Sequence, residues 1–167
     1  DVMGVADCGW GMLFARNVQE AADLALISRR IAEESETPFF NVQDGFLTTH
    51  TIESLRLAEP ELMKNFVGEP SGEHRLRNLM DPAHPIMSGV VQNQDSYMKG
   101  KIAQRYFYDR IPSIMRRIME EFYSLTGRRY GTTDGYALED ADYVIVGMGS
   151  LVETATATAR YLRENEG

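Results

Sequence analysis

Thiols are almost absent from this sequence: 167 residues contain a single cysteine, Cys8. An intrachain disulfide is therefore excluded. A four-thiolate iron–sulfur cluster or zinc site cannot be built from this chain alone. One unpaired thiol suits a reducing, cytoplasmic setting. Histidine is scarce as well. His50, His74 and His84 show neither HxH nor HExxH spacing, so a metal site has no support from motif. No apolar run approaches the roughly 18 residues that a membrane span needs. Positive charge is in deficit, with 17 Lys and Arg against 25 Asp and Glu and a net charge of -8. Nucleic-acid surfaces work by neutralising phosphates, so neither a nucleic-acid partner nor a membrane is expected.

The remaining composition, 43% hydrophobic and 25% charged, excludes disorder across the whole chain. The opening is loop-like, with Gly4, Gly9 and Gly11 and no apolar period. The last residues stop where a helix would give way to another element. Both ends read as cuts inside a longer protein. Asn17 stands three residues before Glu20, a capping-box spacing. Val18, Ala21, Ala22, Ala25, Leu26 and Ile31 follow at helical steps, which predicts a helix ending near Ser35. Pro38 stops it, and residues 39–43 read as a short strand. A glycine loop, a helix and a strand make half of a βαβ unit, whose first strand is expected ahead of Asp1.

A short helix is expected over 52–58. Residues 60–100 read as an irregular excursion with one short helix near 76–80. A long amphipathic helix over 101–126 follows, with Ile111, Ile114, Met115, Ile118, Met119, Phe122 and Leu125 on its apolar stripe and Gly127 as its stop. Arg128 and Arg129 suit a solvated helix end. Residues 131–141 are a linker by composition. A buried strand over 143–146, a glycine turn and a second capping box, Ser150 with Glu153, suggest the first βα unit of a second domain.

Four places could carry chemistry. Gly147, Gly149 and Ser150, between a strand and a helix, could cradle an anion. However, Val152 replaces the third glycine of the dinucleotide fingerprint and no Walker lysine follows, so a steric turn is the stronger reading. Ala6, Asp7, Cys8 and Gly9 form an opening loop in which Cys8 lacks the base or positive field a nucleophilic thiol needs. Trp10 suits a pocket wall or a core anchor. Residues 44–50 place Asp44, Thr48, Thr49 and His50 at the carboxyl end of a strand, where parallel sheets bind ligands. Capping of the next helix competes with that reading. Gln92, Asn93, Gln94 and Asp95, with Tyr97, could order a loop or touch a partner.

Several segments, in order, resemble the thiamine-dependent 2-oxoacid:ferredoxin oxidoreductases, the pyruvate:ferredoxin (flavodoxin) oxidoreductase family. They are Asp1, Val2 and Met3 with Gly9, Gly11, Met12 and Leu13; Val18, Gln19 and Glu20 with Ala22 and Asp23; Pro38 and Phe39; Asp44, Gly45 and Phe46 with Thr48, His50, Thr51, Ile52 and Glu53; Pro82, His84 and Pro85; Gln92, Asn93, Asp95 and Tyr97; Ser124 to Arg128 with Tyr130; and Val144, Ile145, Val146, Met148, Gly149 and Ser150 with Glu153 and Thr154. The resemblance covers nearly the whole chain. It implies an α/β fold: the end of a parallel-sheet, pyrimidine-type thiamine diphosphate-binding domain over 1–130, the 131–141 linker, and the start of a transketolase C-terminal-like domain over 142–167.

The resemblance further implies an enzyme that oxidatively decarboxylates a 2-oxoacid with coenzyme A. Such an enzyme uses thiamine diphosphate, magnesium and [4Fe-4S] clusters and passes electrons to ferredoxin or flavodoxin. Its other domains or subunits are partners, and it forms a homodimer when complete. No cofactor is expected on this chain alone, and the ring-activating glutamate is expected ahead of Asp1. Ala6, Asp7, Cys8 and Gly9 would face substrate. The family's pyruvate enzymes carry an arginine in this loop that pairs the substrate carboxylate, and its position falls on Ala6. That departure implies another 2-oxoacid or another carboxylate anchor. Two rival readings are a non-catalytic assembly module and a nucleotide-binding α/β protein using residues 147–150.

Overall fold

The computed structural model describes residues 1–68, 81–85 and 91–165. Strand β1 (Gly11–Phe14) pairs in parallel with β2 (Phe39–Val42), Gly11 opposite Phe39 and Phe14 opposite Val42. Helix α1 (Val18–Ser35) joins them. The βαβ unit thus closes within the chain, and its first strand is β1, not a segment ahead of Asp1. Four residues directly after a glycine loop are too short for periodicity to declare, and only β2 alongside makes them a strand.

Local chemistry sets α1 at both ends. The Asn17 side chain accepts from the Glu20 N–H at 3.0 Å. Glu20 reaches back, though to the Arg16 N–H at 2.8 Å. The helix stops at Glu36, which adopts a left-handed φ of 53° and donates to the Ala32 carbonyl. Its deeply buried apolar side chains are Leu24, Ile27 and Ile31, whereas Ala25 is exposed.

Those three meet Ile114, Ile118, Met119 and Phe122 of a later helix, and Phe66, in one core with Leu13 and Ala15. Phe66 and Phe122 pack edge to face at 5.1 Å.

Residues 52–58 are extended, not helical. Pro60 cannot lie inside a helix begun at Ile52 and instead starts α2 (Pro60–Val67). Gln19 holds the extended stretch: the Arg56 N–H donates to its Oε1 at 2.8 Å, and its Nε2 donates to the Arg56 carbonyl at 3.1 Å. The expected helix near 76–80 lies outside the described residues. The single helix expected over 101–126 is three: α3 (Gln94–Ala103), α4 (Arg105–Tyr108) and α5 (Ile111–Thr126). Pro112, in the first turn of α5, has no N–H and its ring crowds the carbonyl four residues back, so the helix cannot run through. Gly127 ends α5 at φ 71°, donating to the Tyr123 carbonyl at 2.8 Å.

Residues 143–146 form no ladder among the described residues. Tyr143 and Val146 are 93% and 91% exposed, which overturns the buried strand. An apolar run becomes a strand only when another lies beside it. Helix α6 (Leu151–Asn165) follows and buries none of its side chains.

Candidate functional site

The opening loop begins with one 3₁₀ turn, Val2–Val5. Ala6, Asp7 and Cys8 are exposed and Gly9 is half-buried. The Ala6 and Cys8 N–H groups donate to the Met3 and Val5 carbonyls at 3.3 and 3.1 Å. Gly9 adopts φ 88°, a conformation glycine tolerates without strain. The Tyr108 hydroxyl donates to the Gly9 carbonyl at 3.1 Å. Trp10 then stacks on Phe40 at 4.5 Å, a pocket-wall role in keeping with its neighbours. Gly9, Trp10, Gly11, Thr37, Tyr108, Ile111 and Pro112 line a hollow of about 300 Å³. It adjoins the start of β1 and therefore stands at the amino edge of the sheet.

Residues 44–50 lie at the opposite, carboxyl edge, so the two sequence candidates are not brought together. Nor is the acid–hydroxyl–imidazole set wired as a unit. His50 Nδ1 lies 2.8 Å from the Thr49 hydroxyl and its ring lies against Phe46, while Thr48 is buried. Asp44 turns the other way. Its Oδ2 accepts from the Ser150 N–H, and the Ser150 hydroxyl bonds it too. These two bonds hold its carboxyl below the usual carboxylate range. Gly149, at φ 69°, lies so close that an added Cβ would sit 2.6 Å from Asp44 Oδ2. The anion position at the amino end of α6 is thus filled by the chain's own carboxylate. Glu153, expected to complete a capping box, instead accepts from Asn17 Nδ2 at 2.6 Å. Arg16 pairs with Asp134 at 3.1 Å nearby. These contacts tie the carboxyl edge to the segments around Asp134 and the start of α6, while the hollow stands at the amino edge.

A profile of the family described as pyruvate flavodoxin/ferredoxin oxidoreductase, thiamine diphosphate-binding, matches residues 1–120. This chain belongs to that family. A pyruvate-flavodoxin oxidoreductase of Trichormus variabilis is 40% identical over 163 residues, 97% of this chain. A pyruvate:ferredoxin oxidoreductase of Moorella thermoacetica is 35% identical over 98% of the chain. A pyruvate dehydrogenase [NADP(+)] of Cryptosporidium parvum is 36% identical over 98% of it. The chain spans only 14%, 14% and 8% of the lengths of these three relatives. The parallel β1–β2 pair with α1 across it is consistent with a piece of a thiamine diphosphate-binding domain.

Family membership raises the question of fit to the cofactor. Among the described residues no group of three His, Cys, Asp or Glu side chains could hold a metal ion, and Cys8 is exposed. The hollow has aromatic and aliphatic walls and no charged side chain. Such walls offer nothing to hold a diphosphate with its cation. The glycine turn before α6 is not available for the phosphates either, because Asp44 occupies it. The described residues therefore do not fit the cofactor as a whole.

A second polar centre had no sequence signal. Asp23 is 1% exposed, and its carboxylate accepts from Arg128 Nε at 2.6 Å, Arg128 Nη2 at 3.0 Å, the Tyr130 hydroxyl at 2.6 Å and Gln19 Nε2 at 3.2 Å. Its bond to Asp23 raises the Arg128 pKa further, and burial first, then Asp23, raises that of Tyr130. Arg128 is thus not a solvated helix end. Arg129 is, pairing with exposed Glu120 at 3.1 Å over the Tyr123 ring. This centre joins α1 to the segment after α5 and stands apart from the hollow. Gln94 and Asp95 open α3, Asn93 is its N-cap residue without a side-chain cap bond, and Gln92 precedes it.

Proposed function

We propose that this chain is part of a 2-oxoacid:ferredoxin or flavodoxin oxidoreductase and contributes the 6–9 loop to its substrate site. The observation that carries the proposal is family membership together with relatives aligned over 97–98% of the chain. The reaction converts a 2-oxoacid and coenzyme A to an acyl-coenzyme A, carbon dioxide, a proton and two electrons. The carbon–carbon bond beside the carboxylate breaks and a carbon–sulfur bond forms. The electrons leave through iron–sulfur clusters to ferredoxin or flavodoxin. Thiamine diphosphate, magnesium, the clusters and coenzyme A belong, in this reading, to the rest of the enzyme. The two-domain division, with 1–130 and 142–167 joined by the 131–141 linker, a homodimeric assembly and a cytoplasmic setting complete the proposal.

Within it, this chain's residues exclude and orient. Gly9 lines the hollow and Ala6, Asp7 and Cys8 precede it on the exposed loop, which supports assigning the 6–9 loop to the substrate side. The uncharged walls offer no cation to a carboxylate. The test is oxoacid-dependent reduction of methyl viologen by the complete protein, with and without coenzyme A. Reduction that requires both compounds supports the proposal. A purified, cluster-loaded protein that reduces nothing with any of several 2-oxoacids would sink it in favour of a non-catalytic module.

A further inference from the structure

The break in the helix expected over 101–126 has a consequence at the other end of the chain. Pro112 ends the run, and the single turn of α4 carries Tyr108 onto Gly9, 99 residues earlier. The Tyr108 hydroxyl donates to the Gly9 carbonyl at 3.1 Å, with Gln104 Oε1 at 3.4 Å as a second acceptor for the same proton. The contact is also steric: a Cβ on Gly9 would lie 2.4 Å from that hydroxyl. Gly9, at φ 88°, is therefore fixed from two directions, by its own unusual conformation and by a tyrosine packed on its α-carbon. Before it the backbone makes local turn bonds, from the Gly4, Ala6 and Cys8 N–H groups to the Asp1, Met3 and Val5 carbonyls.

We infer that Tyr108 is the positioning residue of the 6–9 loop: it sets where Ala6, Asp7 and Cys8 stand without itself touching the reacting atoms. The inference rests on the proposed substrate-facing role of that loop. It adds a residue from a distant helix to the site, and a specific role for its hydroxyl rather than its ring.

Tyr108→Phe separates the two, since it keeps the ring and deletes the hydrogen bond. Hydrogen exchange of the 167-residue chain should show the Ala6 and Cys8 amides exchanging about fivefold faster in the variant, the effect of one lost hydrogen bond. Residues 118–122 of α5 should exchange unchanged. Unchanged exchange at Ala6 and Cys8, or equal acceleration in α5, overturns the inference. The same variant in the complete enzyme should raise KM for the 2-oxoacid about fivefold, with kcat and the KM for coenzyme A within about twofold. The 2-oxoacid used is whichever of pyruvate, 2-oxoglutarate and phenylpyruvate the unmodified enzyme turns over. A fall in kcat with KM unchanged also overturns the inference. Faster loop exchange with every kinetic constant unchanged leaves the positioning intact and refutes the substrate-facing reading instead.

Discussion

A carboxylate 1% exposed must be neutralised where it lies, and Asp23 is neutralised by a guanidinium 105 residues away. Taking either partner out strands the other. Arg128→Met takes the guanidinium away from the buried Asp23 carboxyl and should lower stability by about 3–5 kcal/mol, read from urea unfolding. Asp23→Asn retains bonds to Gln19 and Tyr130 and should cost less, because Arg128 keeps partial access to water. If Arg128→Met left the unfolding midpoint unchanged, the pair would not be structural. None of this was legible in the sequence. Asp23 sits at a helical step among alanines and leucines, and Arg128 follows a helix-ending glycine, where a basic residue has a local reason to be. Only the packing of α1 on α5 brings them together.

Elements with local determinants were legible, and those without were not. The start and stop of α1 depend on Asn17 and Glu36, and the stop of α5 on Gly127, all within a few residues of the helix they control. Strand β1 and residues 52–58 depend on β2 and on Gln19, so their conformation is decided elsewhere in the chain. The opening loop and the glycine turn were nameable as candidates from the sequence, but the contacts each makes, with Tyr108 and with Asp44, were not. Gly149→Ala would force a left-handed φ on alanine and drive its Cβ into Asp44. It should cost about 1–3 kcal/mol and speed amide exchange in the first turns of α6, with α5 unaffected. The Asp44–Ser150 contact has a pH signature. Because folding lowers the Asp44 pKa, the attachment is complete above about pH 4 and is lost as pH falls through the lowered value. The Ser150 amide resonance should report that loss on acidification. In Asp44→Asn the same resonance should show no such titration.

At the scale of the whole molecule, the described chain is a core of α1, α2, α5 and two strands, with the start of α6 tied to it by the Asp44–Ser150 and Asn17–Glu153 hydrogen bonds. Tyr143, Val144, Ile145 and Val146 are 60–93% exposed beside it. The family resemblance carries one prediction at this scale. If substrate carboxylates in pyruvate enzymes meet an arginine where this chain has Ala6, then Ala6→Arg in the complete enzyme should raise kcat/KM for pyruvate. The gain expected from a restored bidentate pair is about 30-fold or more. Efficient pyruvate turnover by the unmodified enzyme, with Ala6→Arg neutral or harmful, would place the carboxylate anchor elsewhere. Asp7, directly beside the new guanidinium, is the residue that would then compete for it.

Trp10 is the molecule's sole tryptophan, and its stack on Phe40 ties the residue before β1 to the middle of β2. The chain therefore contains its own fluorophore at the seam between the two strands. Selective excitation reads the parting of β1 from β2 and little else, while far-ultraviolet ellipticity reads mainly α1 and α5. Helix α1 packs on both β2 and α5, so the two signals should change together as denaturant rises, tracing one cooperative transition. Emission shifting ahead of ellipticity would mean that the strands separate while the helices are still paired.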